Sequence, residues 1–327
     1  MGEFDLIQRY FKSQSHPSAD AVPVGIGDDC AVINPTPGMQ WLVSSDMLVE
    51  GRHFLSTVAP ERLGHKALAV NLSDLAACGA TPRAFTLALS LPRVDETFLS
   101  GFARGLFALA QAHDIALVGG DTTAGPLNIC ITVMGEVPRG QALLRSGARV
   151  GDDVYVSGQT LGDARLALEV FRGQASLASA AEFEQVRRAM ECPQPRAQLG
   201  LALRGVAHSA IDVSDGLLGD LGHILKASGV GARLDVDALP RSAVLAGQDL
   251  ALQREYGLAG GDDYELVFTA PSDAAGRAAV AAAAAASGTP VQRIGAIEAE
   301  PGLRLHDAAG LALSAAAFSS FDHFKTP

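Results

Sequence analysis

The sequence predicts a two-domain α/β protein, and three observations carry that prediction. Its 327 residues allow two ordinary domains or one large one, and two is the expectation. Apolar runs of strand character alternate with helical periodicities along both halves of the chain. With 48% hydrophobic and 19% charged residues the chain is not disordered, and 35 glycines against 6% aromatics point to a tightly packed, Ala/Gly-rich core.

In the first half, residues 41–45, 84–91, 115–118 and 127–137 read as strands, the last with alternating apolar positions. Helical patterns span 60–78, with Pro60 in the first turn, and 95–113, opened by the N-cap Asp95. A change of character at Pro138, Arg139 and Gly140, continuing through 145–153, sets the boundary between domains 1–138 and 139–327. Beyond it, 154–157, 233–236, 265–269 and 291–297 read as strands. Helices are expected at 162–171, 180–191, 195–206, 214–228 and 274–286, the last ending at Ser287-Gly288.

Several function classes drop out. A net charge of −11 provides no basic field for nucleic acid or an anionic membrane. The longest apolar run, 278–286, is far short of the roughly 20 residues that span a bilayer, and the N-terminus lacks a basic start before an apolar stretch, so a cytoplasmic location is expected. Cys30, Cys78, Cys130 and Cys192 form no CxxC pair and are read as small core residues. Gly25-Ile-Gly27 lacks the third glycine of a dinucleotide fingerprint, and no lysine follows a Walker-type loop.

The informative residues are aspartates at the edges of apolar segments: Asp28 and Asp29 after Gly27, Asp46 after Ser44-Ser45, Asp121 after Gly119-Gly120, and Asp212 and Asp215 around Ser214. Any one Gly-Asp pair is ordinary turn chemistry. As a set they can converge at sheet edges, where several carboxylates stay ionised only with a cation among them, and oxygen-only ligands suit Mg2+. Asp74 lies with Asn71 inside an otherwise apolar helix, and their spacing puts both on one face, able to point into one polar cavity. Ser214 reads as the N-cap of the following helix, whose N–H groups could meet a phosphate, with Arg145 and Arg149 able to add positive charge. There is no nucleophile elbow and no i, i+4 histidine pair. His53 follows Asp46 closely enough to hang over the same sheet edge.

The segments GIGDDCAV, SSDMLVEGRHF, KALAVNLSDLAACGA, VGGDTTAGP, LLRSGARVGD, AIDVSDGLLGDLGHI, GGDDYELVFT and FDHF, in that order, resemble the thiamine-monophosphate kinase family, of the superfamily that includes aminoimidazole ribonucleotide synthetase and selenophosphate synthetase. The resemblance covers nearly the whole chain. It implies ATP-dependent phosphorylation of thiamine monophosphate to thiamine diphosphate with several Mg2+ ions, in a homodimer whose N-terminal sheets pack together, each domain being a mixed sheet packed with helices. Carried over, it makes Asp28, Asp29, Ser44, Ser45, Asp46, Asp74, Asp121, Asp212 and Asp215 the metal ligands. Gly120, Asp121, Arg145 and Ser214 would face ATP; His53, Asp262 and Phe321 would face thiamine monophosphate, with Asp263 close by. The C-terminal domain would complete the nucleotide and substrate site.

Two positions depart from the family pattern: Asp262 where Glu is common, and Phe321 where Trp is common. The first shortens a substrate contact by a methylene; the second keeps a stacking face but loses the indole N–H. A phosphate-monoester acceptor is largely dianionic at neutral pH, its second pKa being about 6, so no side-chain base is required and direct in-line transfer is expected. A sibling enzyme of the superfamily and a non-catalytic nucleotide or thiamine-phosphate sensor are the competing readings. Cys30 lies inside the aspartate motif and no cysteine ends the chain, unlike selenophosphate synthetases and hydrogenase-maturation proteins respectively.

Overall fold

The computed structural model describes residues 2–318 and divides into one unit of Met1–Leu75 and Ala80–Gly140 and another of Ala76–Gly79 and Gln141–Pro327. The first unit opens with a short helix α1 (Glu3–Leu6) that runs on into a wider turn, Ile7–Phe11, burying Tyr10 and Phe11. Strand β1 (Met39–Val49) leads to α2 (Pro60–Ala77), which starts on Pro60, whose fixed φ and missing N–H suit a first helical position. After β2 (Thr81–Leu91), α3 (Glu96–Ala112) begins where Asp95 accepts the N–H groups of Thr97 and Phe98, both at 3.0 Å. Strands β3 (Ala116–Ala124) and β4 (Asn128–Pro138) complete a sheet ordered β1-β4-β2-β3. Only β2 and β3 are parallel, joined through α3; β4 pairs antiparallel with both β1 and β2.

Side chains alternate across this sheet. Leu87, Leu89, Ile129, Ile131 and Val133 are buried, while Ala88, Cys130, Thr132 and Met134 on the other face are exposed or half-buried. The two helices touch backbone to backbone. A Cβ on Gly64 would stand 2.0 Å from the Phe102 carbonyl oxygen, and one on Gly105 only 1.8 Å from that of Glu61.

In the second unit, β5 (Asp153–Ser157) is followed by α4 (Asp163–Phe171), α5 (Ala180–Glu191) and α6 (Ala197–Ala202). Then come β6 (Ser209–Asp212), α7 (Leu217–Ser228) and β7 (Gly231–Asp235). Helices α8 (Ala243–Ala246) and α9 (Leu250–Ala259) precede β8 (Leu266–Ala270), α10 (Ala274–Ser287) and β9 (Val291–Glu298). Strands β10 (Gly302–His306) and β11 (Ala312–Leu313) finish a mixed sheet ordered β11-β10-β7-β9-β5-β8-β6. Val154, Val156, Ile211 and Val267 on one face pack with Leu217, Leu221 and Ile224 of α7. On the other, Tyr155 and Phe268 stack at 5.3 Å and join Leu199, Leu203 and Val280.

Both units are therefore mixed sheets packed with helices. Among the described residues no helix is long and apolar enough to cross a membrane. Several expectations need correction. Strand β3 runs through Gly119-Gly120-Asp121 rather than stopping at Val118, because Gly120, at φ +145, takes a conformation that lets β3 pass within 1.9 Å (built Cβ to oxygen) of the Leu87 carbonyl. Helix α6 is shorter than 195–206, and α7 begins at Leu217, three residues later than Ser214. No cysteine is in a disulfide; Cys30 is exposed in its loop and the other three are half-buried, so none is a core residue.

A methyl group added between α2 and α3 has nowhere to go. Gly105→Ala is expected to lower the unfolding free energy by about 1–3 kcal/mol, the usual cost of overpacking, with α-helical content retained; urea unfolding followed by circular dichroism checks this, and an unchanged midpoint would refute the backbone contact.

Candidate active-site groups

In the first unit, β1 is an edge strand, so every second N–H lacks a sheet partner. The Asp46 N–H is met by the Asn71 side-chain oxygen at 3.1 Å, and the Asn71 amide in turn donates to the Ala67 carbonyl at 3.0 Å. One turn further along α2, Asp74 Oδ2 accepts the Ser44 hydroxyl at 2.5 Å. The shared face of Asn71 and Asp74 thus addresses Ser44 and Asp46, which alternate onto the same side of β1.

Ser45 lies on the opposite face, where its hydroxyl bonds Thr132 Oγ1 at 2.9 Å. Asp121 is register-paired with Ala88, between the buried Leu87 and Leu89, and therefore also belongs to the open face. It stands on the other edge of the sheet, three strand spacings or roughly 14 Å from β1. The structure separates Ser45 and Asp121 from Ser44, Asp46 and Asp74, because strand alternation and sheet order override closeness in sequence. Gly120 adjoins Asp121 on that edge strand. Asp28 and Asp29 are exposed on the loop after Gly27, the Asp29 N–H donating to Asp28 Oδ1 at 2.9 Å. His53 sits in the turn after β1, and its Nδ1 accepts the Val49 N–H at 3.0 Å. The neutral ring therefore carries its proton on Nε2.

In the second unit, Asp212 ends the edge strand β6 and is buried, whereas Asp215 is exposed. The segment between them is zipped to the Gly-Gly-Asp-Asp-Tyr segment: Asp262 N–H donates to the Ser214 carbonyl and Tyr264 N–H to that of Val213, both at 2.8 Å. A Cβ on Gly261 would stand 2.5 Å from the Ser214 oxygen, so the two backbones lie in direct contact. Asp262 and Tyr264 hold φ of +70° and +53°, a conformation rare outside glycine and concentrated at functional sites.

The N-cap role expected of Ser214 is not what the structure shows. Gly216 occupies that position, and the N–H groups of Ser214 and Asp215 already donate to Asp220 Oδ2 at 3.0 and 3.1 Å. They are not offered to a phosphate. The Arg145 carbonyl accepts the Ser228 hydroxyl at the far end of α7, a helix of 12 residues and about 18 Å; the structure does not bring Arg145 to Ser214. The Arg145 and Arg149 side chains are exposed. Asp263 turns its carboxyl inward, where Oδ1 accepts the Gly162 N–H at 2.8 Å and the buried Oδ2 finds no partner among the described residues. Phe321 lies outside the described residues.

Three acids here have buried carboxyl groups, and two of them, Asp220 and Asp163, went unread in the sequence. Burial pushes Asp220 up to about 7 against the N–H bonds that favour its ionised form, pushes Asp163 up to about 6 against one bond from Ser242, and drives Asp263 well above the usual range. The only available signal was an acid inside an otherwise apolar helix start, as in Gly-Asp220-Leu.

The acids sort by what neutralises them. Glu136 pairs with Arg83 and Asp153 with Arg277 and Arg293; Glu265 pairs with Arg196. Asp28, Asp29, Asp121 and Asp215 have no ion-pair partner among the described residues. Oxygen-only donors of this kind fit a hard divalent cation. Among the described residues no three His, Cys, Asp or Glu side chains form a ready-made cage.

The AIR synthase related protein N-terminal domain model matches residues 27–137, and the corresponding C-terminal domain model matches 149–308. Thiamine-monophosphate kinase of Salmonella typhimurium is 45% identical over 329 residues, covering 100% of this chain and 99% of that protein. The crystal structure of thiamine-monophosphate kinase from Stenotrophomonas maltophilia aligns with TM-score 0.85 and 47% identity over 96% of this chain and 98% of that one. A structure of AaThiL complexed with AMPPCP and TMP aligns with TM-score 0.75 and 28% identity, over 98% and 96%.

Asp163 provides a test of the buried acids. Its pKa rises from the ordinary 3.8 to about 6 on folding, so the stability it contributes is complete below about pH 4 and is lost as pH rises through about 6. Asp163→Asn removes that loss, and its melting temperature relative to wild type should climb between pH 4 and pH 7. Parallel melting curves across this range would show that Asp163 titrates normally.

Proposed function

The chain belongs to the thiamine-monophosphate kinases of the AIR synthase related family, and from that premise we propose that it transfers the γ-phosphoryl group of ATP to thiamine monophosphate, forming thiamine diphosphate and ADP. The observation that carries this reading is the set of aspartates without arginine partners, in the same chain order as the family's motifs.

The acceptor is itself a phosphate, with a second pKa of about 6, so an oxygen of its dianion attacks the γ-phosphorus directly. The bond to the β,γ-bridging oxygen breaks, and ADP leaves with the electron pair. No side chain has to remove a proton, in keeping with a site that offers no nucleophile and base. The obstacle is repulsion between two anions. In the first unit Asp28, Asp29, Ser44, Asp46 and Asp74, and in the second unit Asp212 and Asp215, would hold Mg2+, which would supply the neutralising charge; Ser45 and Asp121, which the structure sets apart from Ser44, Asp46 and Asp74, are weaker candidates. His53, with its proton on Nε2, serves as a hydrogen-bond donor to an anion and not as a base. Asp262 is the proposed contact to the cationic thiamine moiety, and Asp263 supports it from beneath.

We also propose a homodimer formed through the first unit. Its sheet leaves one face open, where Val43 is 65% and Met47 53% exposed on β1, an apolar patch of the kind that marks an interface.

Incubation with ATP, Mg2+ and thiamine monophosphate should yield thiamine diphosphate by chromatography, with thiamine itself unreactive. Chelation should abolish product, and Asp215→Asn should lower kcat/KM at least about 100-fold. Binding without turnover would instead establish a sensor. For the dimer, light scattering should give twice the 33.8 kDa chain mass, falling toward the monomer in Val43→Glu/Met47→Glu; a monomeric wild type would refute it.

A further inference from the structure

Helix α7 has an unusual start. Its N-cap, Gly216, has no side chain to accept an N–H. The acceptor comes instead from inside the helix: Asp220, on its first turn and only 4% exposed, points back toward the N-terminus as helical side chains do. Its Oδ2 takes two N–H groups that lie before the helix, those of Ser214 at 3.0 Å and Asp215 at 3.1 Å, and the Gly216 N–H also serves the carboxyl. Asp220 thus fills the pocket of converging amides that, at the start of another helix, would take a phosphate.

Both ends of the held segment carry chemistry. The Ser214 carbonyl, on the same residue whose N–H Asp220 grips, accepts the Asp262 N–H at 2.8 Å. Asp215 projects its own carboxylate into solvent, and Asp212 immediately precedes the segment.

We propose that Asp220 is a positioning residue for phosphoryl transfer: by gripping the Ser214 and Asp215 N–H groups it fixes the direction in which the Asp212–Asp215 loop presents its oxygens to metal and nucleotide, and through the Ser214 carbonyl it fixes Asp262 toward the acceptor. This rests on the reading of that loop as the metal and nucleotide loop. Because one oxygen atom accepts both bonds, the role needs an acceptor at that point and not a negative charge.

The test compares Asp220→Asn, whose amide oxygen can accept both bonds, with Asp220→Leu, of similar size and without an acceptor. Each full-length variant is assayed for kcat, half-saturating Mg2+ and the KM for thiamine monophosphate, with a thermal melt to establish folding. Asp220→Leu should raise half-saturating Mg2+ by about 10–100-fold, the usual effect of losing a group that orients metal ligands, and raise the KM for thiamine monophosphate with it. Asp220→Asn should recover most of both. A folded Asp220→Leu with wild-type Mg2+ dependence, or Asn and Leu variants equally impaired, overturns the proposal. Asp215→Asn in the same series separates the two claims: if it stays fully active the loop reading itself fails, whereas its loss beside a normal Asp220→Leu fails only the role of Asp220. Should Asp220→Leu not fold, hydrogen exchange on the wild-type enzyme free of metal and nucleotide decides: the Ser214 and Asp215 amides should exchange slowly, and exchange at solvent-exposed rates overturns the proposal.

Discussion

A carboxylate withdrawn from water must be met by a cation or by dipoles, and this chain divides its acids by that choice. With a net charge of −11 it cannot give every acid a cation. Arginines go to acids whose work is to hold the fold. Glu265 shows the pattern: buried, gripped by Arg196 at 2.7 and 2.5 Å, and also accepting the Ser157 hydroxyl. A cation there is built in, and none could be added. Asp74 and Asp220 are met by a hydroxyl and by backbone amides. Hydrogen bonds of this kind fix the direction in which a carboxyl group and its partners point, so the segments that would carry the proposed metal and phosphate contacts are held in orientation.

That division explains which parts of the molecule the sequence revealed. Signals that act over a few residues were legible: Asp95 as a cap, Pro60 as a first turn, and Gly288 at φ +63 closing α10. The shared face of Asn71 and Asp74 was legible too, because helical spacing alone sets it; that it addresses β1 comes from the structure. Strands β6 and β11, of four and two residues, are too short to carry a periodicity of their own, and exist through their neighbours in the sheet. The GGD triplet at 119–121 looks like a turn because two glycines usually make one, yet its glycines serve an edge strand that presses on Leu87.

The distribution of site residues was less legible for the same reason. Ser44, Ser45 and Asp46 are consecutive in sequence, but a strand sends alternate side chains to opposite faces, and the structure separates Ser45 from its neighbours. Asp121 is set apart by strand order, a property of the whole sheet. Asp220 could not be found by motif spacing, since its contribution is to backbone N–H groups that carry no sequence signature.

The zipper between 213–216 and 260–264 also accounts for the departure at Asp262. Its N–H must reach the Ser214 carbonyl while the chain reverses direction at φ +70°. Among residues with side chains, Asp and Asn enter this left-handed region several-fold more readily than most, because a short polar side chain can bond locally. A glutamate there pays more backbone strain for its longer reach. If Asp262 takes its proposed role, aspartate relaxes the turn and shortens the contact it would make, so the substitution that would cost reach toward the acceptor steadies the loop that Asp220 holds from the other side. The departure would then shift free energy from the proposed substrate contact to loop geometry.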